Sequence, residues 1–189
     1  MKYSEASKAP RAILDKNNHC GAMATWMILD YLQVDTDPNV ILDKLKITEE
    51  YGTFTISIAL LFHDLGFDTV FRTVEDLEKH KDELPLYNKA KNNGLKIKRP
   101  LETDEFNQVI KSGKHLIAFY DEEIDKGHFS PVAAINKDII KLPMSNYGDL
   151  SILDFQERRA RLGFLKQTVE IQPMKMQNKS EQDRPLTAL

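Results

Sequence analysis

The fold is decided by residues 20–32, whose sequence is CGAMATWMILDYL. Apolar side chains cover most of the circumference that these residues would have as a helix, which predicts a helix buried on nearly all sides. Asn17 and Asn18 precede it, and asparagine is among the best residues for capping the free N–H groups of a first helical turn. The sequence therefore predicts a central helix with Cys20 at or next to its amino terminus.

More helices are predicted in the rest of the first half. Pro38 suits the first turn of a helix that runs to Leu45, because a first turn does not need the missing N–H. Apolar spacing predicts another helix between Gly52 and Gly66, and a strand follows at residues 67–73. Residues 75–98 carry mixed charge with little apolar periodicity, so we expect a solvated insertion there, with an interaction surface as the alternative.

The second half changes from helical to strand periodicity. Four short strands are predicted, at residues 115–120, 129–136, 139–142 and 164–171. Helices are expected at 103–113 and at 151–162, the second one capped by Ser151 or Asp149. This order predicts an α+β fold, with the helices of the first half packed on a mainly antiparallel sheet from the second half. We expect a single domain over 1–171 and, from its polar composition, a disordered tail over 172–189.

Composition restricts the class of partner. The chain has 189 residues, and its 26 basic and 29 acidic side chains leave a net charge of only −3. Such a balance argues against nucleic-acid or membrane-surface partners. The single cysteine cannot form an intramolecular disulfide, which favours a reducing, cytoplasmic compartment. The apolar stretches are each under about 12 residues, too short to cross a bilayer. The oligomeric state cannot be predicted from these features.

The sequence contains none of the usual motifs of nucleotide-binding proteins, serine hydrolases or zinc sites. It contains no GxGxxG, GxxxxGK[ST] or GxSxG pattern. His63, His80 and His115 are scattered, and no pair of Cys or His residues has the short spacing of a zinc site. We therefore expect neither a metal nor an organic cofactor.

Cys20 and His128 are the candidates for chemistry. A thiol at a helix amino terminus feels about half a positive charge from the aligned peptide dipoles, which favours the thiolate. A histidine at the start of a strand beside that helix could accept the thiol proton and return it to a leaving group. His128, just before the apolar run from Phe129, has that position. The alternative is a buried structural cysteine and an unrelated histidine.

The sequence around this pair resembles one family. Residues 18–32, the pair Gly52-Thr53, the stretch KGHFSPV at 126–132 and the late stretch 154–163 are similar, in the same order, to the bacteriocin leader-peptidase-like branch of papain-like cysteine peptidases. The similarity covers residues from about 14 to 171. It implies a papain-like fold and a stand-alone bacterial protein.

The resemblance also implies a mechanism. In such enzymes the cysteine, here Cys20, attacks the carbonyl of a peptide or amide, and the histidine, here His128, transfers protons. A further residue orients the imidazole, and this family usually has an aspartate where Leu142 precedes Pro143. Orientation requires only an acceptor for the ring proton, so Asn146, which a loop could bring to the ring, is the candidate, and Asp149 is a more distant one.

An oxyanion donor is also implied, usually a glutamine that would fall near Leu14. The available side-chain amides are Asn17 and Asn18, and Asn17 is the candidate, with helix capping as its alternative role. The leading hypothesis is a cysteine peptidase-like hydrolase. The alternatives are a non-catalytic module that binds a peptide on the same fold, favoured by Leu142 and the missing glutamine, and an acyltransferase that uses the same cysteine.

Overall fold

The helix predicted around Cys20 lies at the centre of the protein. The computed structural model describes residues 2–76, 79–123, 126–161 and 163–173. The central helix runs over Cys20–Tyr31, and most of its side chains are buried. This confirms the prediction of a helix enclosed on nearly all sides.

Seven α-helices occur within these residues. They are α1 (Arg11–Leu14), α2 (Cys20–Tyr31), α3 (Pro38–Leu45), α4 (Thr55–Asp64), α5 (Leu84–Asn92), α6 (Thr103–Lys111) and α7 (Ile152–Ala160), after a short 3-10 helix over Ala6–Lys8. Pro38 lies in the first turn of α3, and Gly66 follows α4 with a φ of +88°. The Ser151 hydroxyl accepts the N–H of Asp154 and caps α7. These helix ends agree with the sequence analysis.

The strands form two sheets. They are β1 (Asp68–Arg72), β2 (Lys96–Lys98), β3 (His115–Glu123), β4 (Lys126–Pro131), β5 (Ala134–Asn136), β6 (Ile139–Lys141), β7 (Leu150–Ser151) and β8 (Thr168–Gln172). A five-stranded sheet has the order β2-β1-β8-β3-β4, and a three-stranded one has the order β5-β6-β7. In the described ranges β1 and β2 pair in parallel and the other neighbours are antiparallel. The α+β class is confirmed, and β4 is an edge strand that packs beside α2.

The larger sheet separates two hydrophobic cores. The core on one face, which we call the α2 core, is built mainly from α2 and α4, and the core on the other face, the α7 core, from α6, α7 and the small sheet. Side chains alternate along a strand. Accordingly, Ile117 and Phe119 of β3 pack in the α2 core, and Leu116 and Tyr120 pack in the α7 core.

The charged segment 75–98 is more structured than predicted. It contains α5 and β2, and β2 pairs with β1. Pro85 lies in the first turn of α5, and Leu86 and Ala90, four residues apart, are its buried side chains. The helix and the strand were not predicted because so short an apolar face is easily hidden by the surrounding charges. Residues 77 and 78 lie outside the described residues.

The start of α2 also differs from the prediction. Neither Asn17 nor Asn18 caps the helix, since the preceding residue is His19 and its side chain makes no capping hydrogen bond. Asn18 has a φ of +54°, and its Nδ2 donates to the Glu49 carbonyl at 2.8 Å. This amide therefore ties the loop at residues 48–52 to the start of the helix.

The carboxyl end of the described chain is strand β8. Of the predicted disordered tail, Gln172 still belongs to β8, and residues 174–189 lie outside the described residues. The single domain over 1–171 stays a prediction. None of the described helices is long and apolar enough to cross a membrane.

Candidate active site

Cys20 is the first residue of α2 and lies against edge strand β4. Its thiol is half-buried, and the backbone N–H groups of Phe129, of Gly21 and of Cys20 itself are near enough to oppose the rise of its pKa that burial causes. Phe129 directly follows His128, so the sulfur lies against the stretch of backbone that carries the histidine. The structure therefore brings Cys20 and His128 to the same edge of the sheet.

The His128 ring is held through one of its nitrogens. Nε2 lies 2.9 Å from the Met144 carbonyl oxygen. Because a carbonyl oxygen can only accept, Nε2 carries the ring proton and donates it, which leaves the lone pair of the neutral ring on Nδ1. Nδ1 is thus the nitrogen that can act as a base.

Glu122 lies beside the same nitrogen. Its Oε2 is 3.2 Å from His128 Nε2, while the N–H bond itself points at Met144, so the carboxylate acts on the ring through its charge rather than through an aligned hydrogen bond. The other oxygen, Oε1, accepts the backbone N–H of Asn146 at 2.7 Å. The side chain of Glu122 is only 3% exposed.

Glu122 was not predicted as a site residue, because the strand that begins at His115 was expected to end at Tyr120. The strand in fact continues to Glu123. Alternation along a longer strand would have placed Glu122 on the same face as Tyr120. Tyr120 pairs with His128 in the antiparallel ladder. A longer predicted strand would therefore have indicated that Glu122 lies near the histidine.

Tyr120 links the histidine to the α7 core. Its ring contacts the His128 ring edge-on, with centroids 5.8 Å apart, and contacts Phe155 of α7 in the same manner. Burial raises the pKa of Tyr120, and the charge of Glu122 raises it further. The phenol therefore stays neutral and packs against the imidazole.

Burial dominates the protonation of both candidate groups. It raises the pKa of the Cys20 thiol, and the backbone N–H donors only partly oppose it. It lowers the pKa of His128, against the Glu122 carboxylate and the Met144 carbonyl, while the positive charge of His19 lowers it further. The expectation of a lowered Cys20 pKa is thus wrong, because desolvation outweighs the helix dipole here. Burial thus favours the neutral form of both the thiol and the imidazole.

A groove opens beside Cys20 on the α2 face of the sheet. It has a volume of about 420 Å³, and the loop at residues 50–53 forms one wall. The opposite wall is formed by the rings of Phe119, Phe129 and Phe164. The centroid of the Phe119 ring lies 4.6 Å from that of Phe129 and 5.1 Å from that of Phe164. Gly127 lies against this wall, and a Cβ there would be 2.5 Å from the Phe119 ring. The width of the groove therefore depends on a glycine.

The remaining predicted site residues lie elsewhere or contribute through their backbone. Asn17 lines a separate depression and not the groove that contains Cys20. Asn146 enters the site through its backbone N–H, which donates to Glu122. Asp149 pairs with a surface lysine, and Leu142 is buried in the α7 core.

This arrangement can perform nucleophilic acyl chemistry. It combines a sulfur, a ring nitrogen with a lone pair, and the N–H groups of Cys20 and Gly21 at a helix amino terminus. In the part of the chain that the structure describes, no group of three or more His, Cys, Asp or Glu side chains could hold a metal ion.

Comparison with known proteins supports the architecture. No protein-family model matches the sequence, and a search of curated proteins finds no similar one. The peptidase domain of Streptococcus ComA, a bi-functional ABC transporter involved in quorum sensing, is similar in structure, with a TM-score of 0.51 and 13% identity over 92% of this chain and 98% of that chain.

A second solved structure is a double glycine motif protease from an AMS/PCAT transporter, in complex with the leader peptide. It has a TM-score of 0.49 and 13% identity over 84% of this chain and 87% of that chain. At such identity a structural likeness concerns the fold. The first comparison confirms the papain-like fold predicted from the sequence, since the chain has the fold of the ComA peptidase domain.

Proposed function

We propose that the protein is a cysteine peptidase-like hydrolase that cleaves a peptide or amide bond through a thioester on Cys20. The observation that carries the proposal is the position of this thiol against the backbone next to His128, whose ring is fixed in the tautomer that leaves Nδ1 as a base. The groove beside the sulfur supports an extended peptide as the substrate.

The proposed reaction has two halves. His128 Nδ1 accepts the thiol proton as Cys20 Sγ attacks the carbonyl carbon, and the same proton then passes to the leaving amine as the C–N bond breaks. In the second half, Nδ1 accepts a proton from water while the water oxygen attacks the thioester. The C–S bond breaks, the acid leaves, and the proton returns to the sulfur.

We further propose that backbone groups rather than Asn17 hold the oxyanion. The first N–H groups of a helix have no acceptor within the helix, and those of Cys20 and Gly21 are near enough to the thiol to act against the rise of its pKa. One such donor typically contributes about 3 kcal/mol to the transition state of acyl transfer. Replacement of Asn17 by Ala should accordingly leave the rate unchanged, and a loss comparable to that of a donor would restore the original assignment.

The test is turnover of a pooled library of peptidyl-aminocoumarin amides, which fluoresce when the amide is cleaved. Wild-type protein should release coumarin, and Cys20→Ala should lower the release at least about a hundredfold. Equal release by both proteins would contradict the proposal. Product analysis with and without an added ordinary amine such as glycine distinguishes water from amines as the acceptor, because an acyltransferase would form the new amide at the expense of the acid and a hydrolase would form the acid in both cases.

Two observations favour a second function, a non-catalytic module that binds a peptide. Burial favours the neutral forms of both Cys20 and His128, and Leu142 occupies the position of the family aspartate. Such a module would bind peptides from the library with no release of coumarin. For either function, a reducing compartment such as the bacterial cytoplasm would keep the single thiol unoxidised.

A further inference from the structure

We propose that Glu122 is the positioning residue of this site, and that strand β3 thereby supplies the carboxylate that the resembled family carries immediately before Pro143. The inference rests on the proposed function, since Glu122 would act on the reaction only through His128. It concerns the source of the third group: the end of the long central strand rather than the loop after β6.

The pairing of β3 with β4 gives Glu122 its place. Tyr120 lies directly across from His128 in the antiparallel ladder. Glu122 is two residues further along β3, and the ladder leaves it without a partner, since Asp121 pairs with Gly127 and Glu123 with Lys126. The register shifts between Asp121 and Glu123, and such an irregularity commonly re-aims a side chain near a site.

Two hydrogen bonds hold Glu122, one at its carboxylate and one at its backbone carbonyl. Its Oε1 accepts the Asn146 N–H at 2.7 Å, and the backbone carbonyl of Glu122 accepts Arg158 Nη1 at 2.7 Å. The strand end and the carboxylate are therefore both held. Oε2 is left facing His128 at 3.2 Å, and no other described donor is aligned on it.

Met144 and Glu122 then have different roles at Nε2. The Met144 carbonyl accepts a hydrogen bond from the N–H group at Nε2 and thereby sets the tautomer and the orientation of the ring. The Glu122 carboxylate compensates the positive charge that the ring gains when Nδ1 accepts the thiol proton. A carboxylate that is only 3% exposed is poorly solvated, which makes it energetically sensitive to a charge on the neighbouring ring. The charge of Glu122 raises the pKa of His128, in agreement with this role.

The position at which the resembled family usually has an aspartate is apolar in this chain. Leu142 is 3% exposed and packs in the α7 core, so that position has no group that could orient a ring. The loop that follows still contributes, but through the Met144 carbonyl and the Asn146 N–H. Glu122 is thus the buried carboxylate that the described residues present to the histidine.

The test compares Glu122→Gln with Glu123→Gln. Gln keeps an oxygen for the Asn146 N–H and removes the charge. Glu123 is the matched control, since it is the next residue, is 52% exposed and pairs with Lys126 at the surface. The readouts are the His128 pKa, by NMR of labelled histidine assigned with His128→Gln, and coumarin release from the peptidyl amide pool.

Glu122→Gln should lower the His128 pKa and reduce coumarin release at least about tenfold. Glu122→Asp should restore part of both, and Glu123→Gln should change neither. An unchanged His128 pKa in folded Glu122→Gln would overturn the proposal. Should this variant fail to fold, Glu122→Asp decides: because its carboxylate is one methylene shorter, the His128 pKa should fall, and an unchanged value counts against Glu122. If wild-type protein releases no coumarin, the proposed function fails, while the NMR result still decides the contact.

Discussion

The two faces of the larger sheet bring different chemistry to edge strand β4. On the α2 face lie Cys20 and a groove with an aromatic wall, and on the α7 face lie His128 and buried polar groups. The strand itself makes this possible, because its consecutive side chains alternate between faces. Gly127 and Phe129 shape the groove, and His128 between them faces Tyr120.

This difference suggests a division of tasks. Changes on the α2 face should alter which substrates reach the sulfur, and changes on the α7 face should alter the protonation and orientation of the histidine. Cys20 and His128 both lie at this edge and are the proposed nucleophile and base, so their loss should affect every substrate. The following predictions test this separation.

The largest effect is expected for His128→Ala. Loss of the base should lower coumarin release by about 10² to 10⁴-fold. The matched control is His63→Ala, since that ring contacts the Asn93 carbonyl at 2.9 Å and does not line the groove beside Cys20. Equal losses in the two variants would show that histidine removal acts through stability rather than through the proposed base.

A smaller effect, dependent on substrate size, is expected for Gly127→Ala. The added Cβ would be 2.5 Å from a carbon of the Phe119 ring. That ring lies between the rings of Phe129 and Phe164, so it has little room to move. We expect release from peptidyl amides to fall about tenfold. Alkylation of Cys20 by iodoacetamide, a much smaller reagent, should change little.

Gly94→Ala is the control for this comparison. Gly94 also lies outside helices, and a Cβ there meets nothing within 4 Å. Its φ of +73° makes the change mildly destabilising, at about 1 kcal/mol. Peptidyl amides and iodoacetamide should therefore both react with this variant as with wild type. An equal fall for both reagents in Gly127→Ala would contradict a role of the groove in admitting the peptide.

The pH dependence of turnover should report the α7 face. Burial lowers the pKa of His128 from its ordinary 6.5, so the neutral base persists to lower pH and turnover should fall only below pH 6.5. His19→Ala removes a positive charge that lowers this pKa, so the acid limb should move to higher pH. His80→Ala serves as the control, and a shift of the same size there would refute the assignment.

The smallest effect on turnover is expected for His115, at the opposite end of β3. Burial lowers its pKa to about 4, and its Nδ1 lies 2.9 Å from the Tyr3 hydroxyl. The unfolded chain takes up the proton near pH 6.5 and the folded chain does not, so the free energy of unfolding should decrease as the pH falls from 6.5 towards 4. In thermal melts, His115→Leu should flatten this decrease, while the pH profile of turnover at 25 °C keeps its shape. If the free energy of unfolding of His115→Leu decreased as steeply as that of wild type, groups other than His115 would be responsible for the pH dependence.

The sequence predicted those parts of the fold that local pattern determines. Helix α2 was evident because its apolar residues are dense and continuous, and β4 because an apolar run follows His128. Helix α5 was missed because only Leu86 and Ala90 bury its face among many charges. Local pattern therefore predicts an element well when the element buries much of its surface.

The site was predictable only in its first two residues. Cys20 and His128 were found from their positions beside a helix and a strand, together with the family resemblance. Glu122 depends on how far β3 extends and on its pairing with β4, and the Met144 carbonyl belongs to the backbone of a loop, where the residue type gives no signal. The direction of the Cys20 pKa also required the structure, because burial depends on the packed neighbours.

The central claim, that Cys20 forms a thioester, is tested most directly by mass spectrometry of acid-quenched reactions with the peptidyl amide pool. The chain has one cysteine, so the site of a thioester is unambiguous. We predict peptidyl adducts on the fragment that contains Cys20 in wild-type protein and none in Cys20→Ala. Continued release of coumarin by Cys20→Ala, or adducts confined to other fragments, would contradict the account.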